Sequence, residues 1–252
     1  MVLKLETVES FSRGLSVLRC FAGVRRLTIT DVSERTGLTR AAARRFLYTL
    51  CAEGLARTDG KNFELTAGVL ELGHAYLSGM SELETVRDIL QDLTLEIGES
   101  ASAATLDGHD IVYVARSPAR HRIMTVGLAV GSRLPAHAAS MGQALLAQLH
   151  HNELEAFFQT SKLRALTPKT LTSKAALKER LLLIRSRGYA IVSEELEIGL
   201  RSIAVTVEGR PRNAPLAINL SAQSARISEA EMIDTYLPKL LHAARRIQLS
   251  AG

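Results

Sequence analysis

The chain has 252 residues, 46% of them apolar and 23% charged, with a formal net charge of +5. That length exceeds one ordinary domain, and the apolar content is enough to build a core for each of two. No apolar run approaches the ~18 residues that cross a bilayer, no signal-peptide pattern opens the chain, and two cysteines, Cys20 and Cys51, provide neither a disulfide framework nor a Cys-rich metal site, so a cytoplasmic two-domain protein without membrane contact is expected.

Residues 1–9 read as an arm. From Ser10 or Ser12 to Ala22 the spacing of Phe11, Leu15, Leu18 and Ala22 predicts a helix that Gly23 ends. Thr30 is the expected cap of a short helix from Asp31 to Thr36, stopped by Gly37, and Thr39 the cap of a longer one reaching Glu53. On that longer helix Ala43, Phe46, Leu47 and Leu50 form one apolar face, while Arg40, Ala41, Arg44, Arg45 and Tyr48 fall opposite. Between Arg35 and Ala52 the arginines at 35, 40, 44 and 45 meet no acid. Two helices around a glycine turn, with cations on the second, match the helix-turn-helix that places its second helix in the major groove. Arginine suits that place because its planar fork binds phosphate or a guanine edge bidentately. On the charges alone, a solvated basic face without a partner explains the pattern equally well. What separates the two is the next stretch, LARTDGKNFEL at 55–65, two short strands joined by Asp59-Gly60. A hairpin directly behind a helix-turn-helix is a wing, and Arg57 and Lys61 near its tip would touch backbone phosphates.

Leu65 to Leu77 reads as a connecting helix starting at Thr66, and Ser78-Gly79-Met80-Ser81 as the boundary between a DNA-binding domain (1–80) and a second domain (81–252). Ser81 and Glu84 form a capping box for an amphipathic helix whose apolar positions are Leu83, Val86, Leu90, Leu93 and Ile97. After Gly98 the period shortens toward two. Strands are expected at 100–106, 111–116, 122–128, 189–193, 202–207 and 216–220, and helices at 140–149, 173–187 and 228–249, the last kinked or broken at Pro238. This order suggests an antiparallel α+β domain.

Within it, VGSRLPAHAASMGQALL at 130–146 enters a helix through the small residues Ala136, Ala138, Ala139 and Ser140. Free N–H groups at such a helix start seat a carboxylate; alternatively Ser140 and Gln143 form a capping box that satisfies part of them. Ser202, Asn219 and Ser221 are short polar residues on otherwise apolar strands, each ordinarily satisfied by backbone or water but together suggestive of a pocket. Catalysis finds no support: GxSxG, HExxH and phosphate-loop spacings are missing, and His137 near Ser140 lacks a third orienting residue, so neither a catalytic residue nor a cofactor is expected.

The winged N-terminal part, FELTAGVLELGHAYL, GSRLPAHAASMGQALLA and RGYAIVSEELEIGLRSIAV together resemble the IclR family of bacterial transcriptional regulators over nearly the whole chain. FSRGLSVLRCF and MTVGLAVGSRLPAHAASMGQALLA look most like the branch that controls aromatic-acid catabolism through the β-ketoadipate pathway and responds to protocatechuate, para-hydroxybenzoate or β-ketoadipate. The resemblance implies an N-terminal winged helix-turn-helix, a C-terminal GAF-like effector domain, and a homodimer or dimer of dimers on a double-stranded operator. It implies a pocket lined by Ile123, Met124, Val126, Leu134, the turn Ala138, Ala139, Ser140 and Met141, and by Ser202, Asn219 and Ser221. The chain departs from the family at Thr206, where proline is common after IAV, and in the basic loop GRPRNAP at 209–215. The expected function is therefore a DNA-binding regulator answering to a small carboxylate. The alternatives are a regulator of this type sensing another metabolite, or a thiol redox switch built on Cys20 and Cys51.

Overall fold

A computed structural model describes residues 6–78, 83–119, 128–208 and 215–250. Chain contacts divide it into two compact units, Met1–Gly79 and Met80–Gly252. Ser81 of the expected capping box, residues 122–127 of the strand expected at 122–128, most of the basic loop and the pocket candidates Ile123, Met124 and Val126 lie outside the described residues.

The first unit contains α1 (Glu9–Arg19), β1 (Leu27–Thr28), α2 (Ile29–Thr36), α3 (Arg40–Ala52), β2 (Ala56–Thr58), β3 (Asn62–Leu65) and α4 (Val69–Ser78). Val17, Val32, Ala43, Leu47 and Phe63, all fully buried, share one core. Burying a Leu or Phe of this kind stabilises the unit by about 1.5–3 kcal/mol. Two local expectations need correction. The cap of α2 is Thr28, not Thr30: Asp31 returns its carboxylate to the Thr28 N–H at 2.7 Å while the Thr28 hydroxyl accepts the Asp31 N–H. The reciprocal box requires an acid or amide three residues on, which Thr28 has and Thr30, followed by Ser33, lacks. The short β1 is not legible in the sequence, because two residues carry no period; Leu27 pairs with Phe63 and Thr28 with Asn62, completing a three-stranded sheet in the order β1-β3-β2.

The second unit is a six-stranded antiparallel sheet in the order β6-β5-β4-β9-β8-β7, comprising β4 (Ser100–Asp107), β5 (Asp110–Ser117), β6 (Arg133–Pro135), β7 (Ala190–Ser193), β8 (Leu200–Val207) and β9 (Leu216–Gln223). The helices α5 (Leu83–Ile97) and α10 (Leu237–Ser250) cover one face; α6 (Ser140–Gln148) covers the other and packs against α8 (Lys174–Arg187), and Phe157 and Phe158 of α7 (His151–Thr160) join the same core. Ser173 caps α8 and Gly188, at φ +80°, ends it. The helix α7 has no counterpart in the sequence-based expectations. His150 is its N-cap residue, with Glu153 accepting the His150 N–H.

Pro238 neither breaks nor sharply ends the last helix. After the short α9 (Glu229–Glu231) the chain widens into a π-turn over Met232–Tyr236, in which the Leu237 N–H reaches the Met232 carbonyl, and then continues as α10. Proline lacks an N–H and crowds the carbonyl four residues back, so one wider turn ahead of it keeps the helix continuous.

Candidate DNA-reading surface and effector site

On α3 the apolar positions Ala43, Leu47 and Leu50 are buried, and Thr39, Arg40, Ala41, Arg44, Arg45 and Tyr48 are all exposed. The Thr39 hydroxyl is spent as a cap, accepting the Ala42 N–H at 3.2 Å. Gly37, at φ +71°, and the Ser33 hydroxyl, donating to the Leu38 carbonyl at 2.6 Å, hold the turn that aims α3. The Arg44 guanidinium lies 5.5 Å from the Tyr48 ring centre, and that ring stands edge-on to buried Phe63 at 5.6 Å. Tyr48 therefore links the reading face to the sheet behind it.

The wing carries more charge than its sequence suggests. Lys61 is exposed at the tip, where the Asp59 carboxylate accepts the N–H groups of Lys61 and Asn62. The Asn62 N–H is the main reason the Asp59 carboxyl is pulled down to about 2. Arg57 instead sits inside β2 opposite Glu64, and the Glu64 carboxylate also takes Arg25 at 3.0 Å and Arg26 at 3.3 Å. Arg25 and Arg26 belong to no periodic element, so no sequence pattern flags them; antiparallel pairing of β1 with β3 brings them to Glu64.

In the second unit the three polar strand residues converge. Ser202 pairs with Ser221, and Asn219, two residues along, donates from Nδ2 to the Ser221 hydroxyl at 3.0 Å. Ala204 and Ala217, on the same sheet face, pack in the core cluster with Met141, Ala144 and Leu145 of α6, and Leu134 packs at its margin. Register adds Ser102, opposite Asn219, and Ser100, opposite Ser221, neither of which the sequence singles out. Ala138, Ala139, Ser140 and Met141 are buried.

Ser140 and Gln143 do not form a capping box. Ala139 occupies the cap position and has no side-chain bond to offer. The Gln143 amide turns away from the helix start, donating to the His137 carbonyl at 2.8 Å and to the Glu195 carboxylate at 3.1 Å. Burial pushes the Glu195 carboxyl up although Arg180 lies 3.2 Å away. The outcome is a helix start whose first-turn N–H groups have no side-chain cap; Ser140 Oγ and Gln143 Oε1 on α6 and Asn219 Oδ1 on β9 are buried without hydrogen-bond partners. His137, bonded through Nε2 to the Arg164 carbonyl at 3.0 Å, holds the entry loop in place. A separate cavity of about 560 Å³, lined by Arg185, Thr206, His242 and Arg245 among others, includes none of the expected pocket residues.

Among the described residues no cluster of His, Cys, Asp or Glu suits a metal ion, and no helix is long and apolar enough to cross a membrane. Cys20 and Cys51 are free thiols, each with its pKa raised by burial rather than lowered toward a reactive thiolate.

Residues 10–60 match the IclR helix-turn-helix domain, and residues 74–249 match the bacterial transcriptional regulator IclR C-terminal domain. The chain belongs to the IclR family. Like other IclR proteins it is a transcriptional regulator and not an enzyme. It is 40% identical to the Pca regulon regulatory protein of Pseudomonas putida over 239 residues, 94% of this chain and 82% of that one. It superposes on a regulator from Rhodococcus sp. RHA1 with a TM-score of 0.82 and 43% identity, covering 97% of this chain and 98% of that one. The inducer-binding domain of PobR from Acinetobacter, solved as a double mutant with 3-hydroxybenzoic acid, matches 66% of this chain and 96% of its own, with 32% identity and a TM-score of 0.61. These similarities agree with the aromatic-acid branch that the sequence blocks resemble.

Proposed function

We propose that this IclR regulator acts as a homodimer or dimer of dimers in the cytoplasm. Residues 1–80 would read an operator, and residues 81–252 would bind a small aromatic or keto acid that alters operator affinity. The observation that carries the effector half is the uncapped start of α6, with the unpartnered Ser140 Oγ on that helix and the unpartnered Asn219 Oδ1 on β9, the strand it packs against. A buried polar atom without a partner costs about 1–3 kcal/mol, a cost that a ligand arriving with complementary groups removes. The first-turn N–H groups and the helix dipole favour an anion there. Met141 and Leu134 supply apolar surface for a planar body. Similarity to the Pca regulon regulatory protein and to a PobR domain holding 3-hydroxybenzoic acid supports an aromatic acid over a sugar or nucleotide.

On the reader side, Arg40, Ala41, Arg44, Arg45 and Tyr48 would face the major groove, with Thr39 at the entry of the helix and Arg57 and Lys61 on the flanking backbone. Dimerisation would use α4, where Leu70, Leu72 and Tyr76 are each at least half exposed. Operator binding measured with and without protocatechuate, para-hydroxybenzoate and β-ketoadipate tests the reading. At least one acid should change operator affinity and stabilise the protein to heat. Stabilisation by neutral or cationic compounds alone would overturn it.

A further inference from the structure

The strand β5 contains a bulge. Ala103 of β4 pairs with Ala115, but the next residue, Ala104, pairs with Tyr113, leaving Val114 as an extra residue on β5. In a regular strand, residues three apart face opposite sides of the sheet. The inserted Val114 cancels that alternation, so Tyr113 and Arg116 share a face. It is the face covered by α6, since Tyr113 and Ala104 belong to the core cluster beneath that helix. Across it runs one row, Arg116 on β5, Ser102 on β4, Asn219 on β9 and Ala204 on β8, each opposite the next. Ser100, Ser221 and Ser202 form the adjacent row.

Arg116 is half-buried, burial pushes its pKa down, and its electrostatic neighbour is the buried Tyr113 phenol, itself held up at about 12 by burial. Among the described residues no carboxylate forms an ion pair with it, and residues 118–131, which follow β5, contain no Asp or Glu. Of the arginines on α8, Arg180 is already held by Glu195, and Arg185 by the carbonyls of Ala147 and Leu149. A partly desolvated cation without a counter-ion is costly, and a bulge that keeps it on the pocket face is a feature rather than an accident of packing.

We infer that Arg116 is the counter-ion for the effector's carboxylate, and that it makes this site select acids over neutral molecules of the same shape. The inference rests on the effector reading above and adds the residue that sets its specificity. Arginine fits the role because its fork grips a carboxylate with two parallel N–H bonds.

The test compares 4-hydroxybenzoate with 4-hydroxybenzamide, nearly identical in shape but differing in charge, on the full-length wild type, Arg116→Gln and Arg116→Lys, by calorimetry. The wild type should prefer the acid by about 10- to 100-fold, the range of a charge-assisted hydrogen bond. Arg116→Gln should bind the two within about threefold of each other, while Arg116→Lys should keep part of the preference. A wild-type circular dichroism spectrum and a cooperative thermal transition of the effector domain check that each variant is folded. If Arg116→Gln is not, Arg116→Met replaces it and is read in the same way. A wild-type acid-to-amide ratio in the folded neutral variant would overturn the role of Arg116 and leave the carboxylate site standing with another anchor. A wild type that shows no preference for the acid over the amide would overturn both.

Discussion

A Cβ added to Gly142 would lie 2.2 Å from the carbonyl oxygen of Ala136. The loop leading into α6 folds back across the helix at this point, and only a residue without a side chain permits the approach. The obstacle is backbone, so no rotamer change relieves it.

Gly142→Ala should therefore destabilise the effector domain by about 3 kcal/mol or more, at or beyond the upper end of ordinary overpacking. It should also displace the Ala138–Met141 turn. Urea unfolding of the full chain checks the first effect, and a wild-type midpoint would show that the loop does not pack as described.

Arg44→Ala and Arg45→Ala bear on the reader helix. Neither arginine is tied up in an ion pair among the described residues, and Arg44 is steadied over Tyr48. Loss of a base contact should cost about 1–3 kcal/mol on the operator and little on unrelated DNA. Loss of a phosphate contact should weaken both alike and lower the salt dependence by about one ion per contact. Fluorescence anisotropy over a salt series separates the outcomes. Unchanged affinity in the double variant would remove α3 from the interface.

Ser140→Trp fills the start of α6 from a position that is 2% exposed. The variant should bind operator as the wild type does and lose the response to protocatechuate, because a ligand shifts the regulator only by binding its two states unequally. Operator titrations with and without the acid measure it; a full response would move the effector elsewhere.

Glu194 gives a pH prediction. It sits at φ +60° and accepts bonds from Lys169, from the Gly199 N–H at 2.9 Å and from the Ser224 hydroxyl at 3.0 Å. Lys169 first, then these two donors, pull its carboxyl from 4.5 to about 2. Because the folded-state value is depressed, the stabilisation is fully present above 4.5 and is lost as pH falls from there through about 2. Glu194→Gln should be less stable than the wild type at about pH 7, with the gap narrowing as pH falls below 4.5 and closing only below about 2. Parallel unfolding curves with a constant gap would show that the carboxylate's charge contributes nothing.

The features legible in the chain alone are local or repeated along it. The apolar face of α3, the Asp59-Gly60 turn and the short strand segments β4, β8 and β9 depend on residues within a few positions of one another, and the ordered blocks are enough to place the chain among IclR proteins. The misplaced cap of α2 arises within that same range, where two spacings compete: Thr28 outranks Thr30 because Asp31 stands at the right distance. Which distant residues meet is settled only when the elements pack. Strand register sets Ser102 beside Asn219, and a single extra residue in β5 turns Arg116 onto the pocket face, an effect no alternation within β5 by itself reveals. Gln143 has the spacing of half a capping box, but a buried carboxylate from another element, Glu195, gives its amide a better partner. Periodicity and caps are written in neighbouring residues; register, bulges and buried polar partners depend on the free energy of whole elements packing together.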